Sequence, residues 1–136
     1  MGESMKKELF RMSSSLHRIL LQALLAVVAS QAHGGTVVCS GTVEQLAYHQ
    51  PGRLMIRLSS MNVPVFICST DLDWQPAGSI YGSTSPAACK TLYATLLAAR
   101  LTRGTIGSMY FDGDEGPASC GAFSRWTSVN VRYFEY

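Results

Sequence analysis

The residues with chemistry to offer are four cysteines, Cys39, Cys68, Cys89 and Cys120, and two sets of carboxylates. One set is Asp71 and Asp73, the other Asp112, Asp114 and Glu115. An even number of cysteines in a small exported chain predicts two disulfides. Without a CxxC pair, zinc ligands would have to come from distant segments, so no metal is expected. Oxidised to bridges, the cysteines also supply no thiolate nucleophile. The run from Asp112 to Gly116 lacks the far acidic residue of an EF-hand loop and reads as a solvated turn, as does the Asp71/Asp73 pair. Histidine is scarce beyond residue 32, with His33 and His49 alone, so a Ser/His/Asp arrangement would depend on one credible imidazole. The expectation is a chain that is not an enzyme and takes no cofactor.

The better material is for binding. Trp74 and Tyr81 lie in a polar stretch with Asp71, Asp73 and Gln75, and aromatic faces beside hydrogen-bonding groups suit sugars and protein partners alike. Tyr48 and His49 would form an adjacent rim. The candidate ligand-binding residues are therefore Trp74, Tyr81, Asp71, Asp73 and Tyr48. The competing structural reading makes Trp74 an inward loop anchor, and Trp126 reads as core, since large aromatics are mostly buried.

Residues 1–32 have the three parts of a secretory signal. Lys6, Lys7, Arg11 and Arg18 precede an apolar run over 19–29, and Ser30-Gln31-Ala32 supplies small residues for cleavage after Ala32. The run is interrupted by Gln22 and is far below the ~20 residues of a membrane-spanning helix, so no span is expected after cleavage. Met5 and Met12 are alternative starts that leave export unchanged. A single domain over 33–136 is the expected remainder, secreted or periplasmic. The leader takes four of the eleven Lys and Arg and two of the nine acidic residues, leaving seven of each. A neutral domain gives no basis for counterion-release binding, and no nucleic-acid partner is expected. A charged fraction of 15% likewise argues against a disordered chain.

The elements follow from pattern. Val37, Val38, Val43 and Leu46 favour a first strand over 36–48, with Gly41 marking a bulge or bend. His49-Gln50-Pro51-Gly52 is a turn. Residues 53–58 alternate, with Leu54, Ile56 and Leu58 on one face and Arg53, Met55 and Arg57 on the other. A third strand spans 63–68, and 69–84 is a long loop. Ser85 then caps a helix with Pro86 at its first position and Gly104 as terminator, and Cys89, Leu92, Tyr93, Leu96 and Ala99 form its expected buried stripe. Strands over 105–111, with Ile106 as core and Gly107 allowing close approach or a bulge, and over 126–136 complete the chain.

The predicted fold class is mainly β with one helix, in the order β-β-β-α-β-β. That order matches a five-stranded, disulfide-stabilised OB-fold-like barrel, with the helix between the third and fourth strands. A flat sheet covered by one helix is the alternative. Four cysteines allow three pairings, which sequence alone does not separate. The topology favours Cys68 with Cys89, strand end to helix start, and Cys39 with Cys120, first strand to the loop before the last.

The leader, the Val65-Phe66-Ile67-Cys68 strand end, and the helix from Cys89 to Arg100 running through Gly104 into a strand give the chain its family likeness. It resembles the exported, disulfide-bearing B subunits of bacterial toxins, in particular small proteins similar to the subtilase cytotoxin B subunit. The closing Arg132-Tyr133-Phe134-Glu135-Tyr136 departs from that pattern. The resemblance implies an OB-fold, a non-enzymatic glycan-binding module and assembly as a homo-pentamer; none of the family's sugar-contact residues is carried over to positions here. A periplasmic inhibitor or immunity protein that blocks a partner enzyme is the alternative function.

Overall fold

A computed structural model describes residues 35–136, and the expected signal peptide over 1–32 lies outside the described residues. The strands are β1 (Val37–His49), β2 (Arg53–Leu58), β3 (Val65–Ser69), β4 (Thr105–Asp112) and β5 (Asn130–Glu135). One helix, α1 (Pro86–Leu101), lies between β3 and β4, and a 3-10 turn occupies Cys120–Ala122. The order β-β-β-α-β-β is the expected one, and the protein is mainly β with five antiparallel strands in one sheet, ordered β3-β2-β1-β4-β5.

The central strand does two jobs. Its first half pairs with β4 (Val37 opposite Phe111, Thr42 opposite Thr105), and its second half pairs with β2 (Val43 opposite Leu58, His49 opposite Arg53). The changeover is at Gly41, where the register shifts and φ is 122°. An added Cβ there would collide with the Ser59 side chain, so the bend requires glycine. The bend turns both halves of the sheet around one core, in which Leu54, Ile56, Leu58, Val65, Ile106 and Phe111 are fully buried.

The outer strands β3 and β5 meet at a single point. Phe66 N–H donates to the Thr127 carbonyl (2.9 Å) and Val129 N–H donates to the Phe66 carbonyl (3.0 Å), a lone parallel bridge just before β5. Pairing goes no further, and the sheet is curled but not closed.

The helix is built at both ends from local chemistry. Ser85 Oγ accepts from Ala88 N–H (3.2 Å), and Pro86 occupies the first turn. At the other end Gly104 N–H donates to the Ala99 carbonyl (2.9 Å) and Arg103 N–H to the Arg100 carbonyl (3.2 Å), the Schellman pattern. The left-handed residue of that motif is Arg103, at φ 56°, not a glycine. Gly104 is bare for another reason: the Tyr136 ring lies where its Cβ would be.

Two disulfides pin these elements, Cys39 to Cys120 and Cys68 to Cys89, each with Cα atoms 5.6 Å apart. The first ties β1 to the 3-10 turn, and the second ties β3 to the first turn of α1.

Several expectations need correction. Tyr93 is exposed, because the helix buries only the narrow line of Cys89, Leu96 and Ala99, with Leu92 half-buried beside it. The bulge expected at Gly107, by contrast, is present: Cys39 pairs with Met109 and Gly41 with Ile106, so Gly107 and Ser108 together oppose Ser40. The last strand starts at Asn130, not 126, because the backbone at Thr127 and Val129 is committed to Phe66. Asp112 is buried and not part of a solvated turn: it ends β4, accepts from Thr36 Oγ1 (2.6 Å) and faces Arg132.

Candidate functional site

The outer side of β1 and β2 carries residues whose neighbours in the chain point into the core. Gln45, Met55 and Arg57 stand there, and Arg57 pairs with Glu44 at 2.7 Å. Where the β1–β2 turn approaches β3, His49, Arg53 and Phe66 converge: the His49 ring lies edge-on to Phe66 (5.5 Å), and the Arg53 guanidinium lies over the same ring (5.4 Å). Such contacts stabilise by roughly 0.5–1.5 kcal/mol each and hold the cluster in place.

Onto this cluster the β4–β5 loop lays Trp126. Its ring centroid is 5.3 Å from His49 and 5.8 Å from Phe66, and 59% of the residue remains exposed. This overturns the assignment of Trp126 to the core. The backbone there is at φ 69°, a conformation costly for a bulky side chain, and it aims the indole outward instead of down. Local bonds hold the loop: Thr127 Oγ1 donates to the Ser124 carbonyl (2.8 Å), Ser128 N–H to Glu115 Oε2 (2.8 Å), and Asn62 Nδ2 to the Phe123 carbonyl (2.9 Å).

Two recesses of about 430 Å³ flank the indole. Gln45, Arg57, Asn62 and Arg125 offer polar groups in the first, and Glu115, Ser124 and Thr127 in the second, with Arg125 common to both. An exposed aromatic face bordered by amide, guanidinium and hydroxyl groups matches in shape and chemistry a ligand with one apolar face and a polar perimeter.

The residues singled out from sequence are distributed differently. Trp74 turns inward, as its structural reading has it. It is half-buried, its indole N–H donates to the Val129 carbonyl (2.9 Å), and its backbone pairs both ways with Thr84 (2.9 Å each). Asp71 and Asp73 are exposed; Asp71 accepts from Thr70 Oγ1 (3.0 Å) and fills the space beside Gly52. Tyr48 is exposed near the end of β1. Tyr81 lines a separate groove of about 580 Å³ between α1 and β5, whose walls include none of the other four. Asn130 secures that part of the loop, accepting from Thr84 Oγ1 (2.6 Å) and donating to Ser79 Oγ and the Gly82 carbonyl (3.1 Å each).

His49 is the one rim residue that reaches the Trp126 cluster. Trp126, Arg125 and Phe66 were invisible as a site in sequence, because the contacts joining them span different strands and a loop without hydrophobic period. Among the described residues no group of three or more His, Cys, Asp or Glu is placed to hold a metal ion, and no helix is long and apolar enough to cross a membrane. No family model, no curated protein and no solved structure matches the chain.

Proposed function

We propose that this chain is an exported, non-enzymatic binding module that receives a glycan on the Trp126 platform. The observation that carries the reading is the exposed indole, held outward at positive φ against His49 and Phe66 with a polar recess on either side. Pyranose rings have the matching shape, with C–H groups on a face and hydroxyls around the edge. The secretory pattern of residues 1–32 and two disulfides support a secreted or periplasmic location.

The fold belongs to the same reading. We take the curled sheet as a partly open OB-like barrel: the helix lies between the third and fourth strands, and the Phe66 contact joins the two outer edges. In that architecture the face of the second and third strands and the loop between the fourth and fifth are where oligosaccharides bind, and Trp126 sits on that loop beside that face.

A glycan array probed with the purified protein tests the proposal. Binding is expected, and Trp126→Ala should weaken it about 10-fold or more, the loss usual for an aromatic anchor. Trp74→Phe should leave it unchanged. Silence of the native protein on the array, with a hydrolase co-purifying instead, would replace this reading with the inhibitor one.

A further inference from the structure

The groove between α1 and β5 is distinct from the Trp126 platform and has a different chemistry. The helix side contributes Ala88, Thr91, Leu92 and Thr95; the strand side contributes Val131, Arg132 and Phe134. Strand β5 is the last of the sheet, paired with β4 along one edge only. Its other edge is engaged at Thr127 and Val129, before the strand begins, and from Asn130 onward it has no strand partner among the described residues. A free strand edge beside the flank of a helix is the geometry in which an extended segment adds as a further strand, with backbone bonds for affinity and alternate side chains for specificity.

The charge of the groove narrows the occupant. Among the described residues its walls hold one cation, Arg132, and no carboxylate. The Arg132 guanidinium is stacked on Tyr81 (4.4 Å) and Tyr110 (5.2 Å), and its Nε lies 3.6 Å from buried Asp112 Oδ2. Asp112 and the two rings fix one end of the fork, and among the described residues no hydrogen bond takes its terminal nitrogens. Ala88 lies in the first turn of α1, which carries no acidic residue, so that wall adds the positive end of a 16-residue helix. A positioned guanidinium with free donors is a carboxylate receptor.

We propose that this groove docks an extended acidic segment of a partner protein, which adds to the free edge of β5 and places an Asp or Glu carboxylate on Arg132. Panning a phage-displayed library of random dodecapeptides on the purified protein, followed by fluorescence anisotropy with a recovered peptide, tests it. Recovered peptides should carry an acidic residue within an alternating β-branched stretch. Thr91→Glu, which sets a carboxylate in the groove on a good helix former, should weaken binding about 10-fold or more, whereas Thr91→Gln should stay within about 2-fold. N-methylating one alternate set of peptide amides should abolish binding, and methylating the other set should not. Trp126→Ala should have no effect. The proposal is overturned by failure to recover binders, by peptides without acidic residues, by equal affinity for the Thr91→Glu and Thr91→Gln proteins, or by indifference to both methylation patterns.

Discussion

The indole N–H of Trp74 donates to the carbonyl oxygen of Val129 at 2.9 Å, while the N–H of Val129 donates to the Phe66 carbonyl at 3.0 Å. One residue thus clasps the long loop, the last strand and the edge of β3 together. Val129 is itself fully buried, so its carbonyl has no water to turn to if the indole is lost.

Trp74→Phe keeps an aromatic ring but removes the donor. The stranded carbonyl should cost about 1–3 kcal/mol, read as a lower urea midpoint at unchanged slope. A midpoint equal to that of the native protein would show that the clasp does not stabilise the fold.

The two disulfides should yield to reductant in order. Cys68 and Cys89 are fully buried, whereas Cys120 is only half-buried, and exchange requires access to a sulfur. Limited dithiothreitol followed by alkylation and peptide mapping should label Cys39 and Cys120 first. That bridge closes the longer loop, with a separation of 81 residues against 21. On the chain-entropy account its loss should cost about 4.5 kcal/mol, against about 3.4 for the other.

Arg132→Ala would strand a buried carboxylate. Among the described residues Asp112 Oδ2 has no hydrogen bond, and its remaining partner is the Arg132 guanidinium at 3.6 Å. The substitution should cost about 3 kcal/mol, the low end for a broken buried pair because Arg132 is half-exposed. Adding Asp112→Asn should recover part of that loss in a denaturation double-mutant cycle. Strictly additive losses would mean the two residues do not interact.

Much of this architecture is legible in the chain because its signals are local. Ser85-Pro86 marks the start of α1 by capping chemistry, the alternation of Leu54, Ile56 and Leu58 marks β2 and its inner face, and Gly41 marks the bend in β1. The cysteine pairing follows once those elements are in order. The platform is harder to read. Large aromatics are mostly buried, so Trp126 looks like core, and nothing in its neighbours announces a left-handed backbone. Tyr93 misleads in the opposite way: its spacing fits a buried stripe, but the width of that stripe is set by what the helix packs against. The same limit applies to Trp74, whose place is decided by a carbonyl 55 residues away.

The cystine bridging Cys39 and Cys120 encloses β1 from Cys39 onward through β4, leaving β5 outside, and Cys68–Cys89 encloses the long loop inside it. A protease that cuts once anywhere between residues 40 and 119 therefore releases no fragment. The nicked molecule stays covalently whole, and a cut between residues 69 and 88 leaves its two ends held close by the inner bridge. Scission at the exposed tip around Ile80 would add only the mass of one water until the sample is reduced, when two pieces would separate.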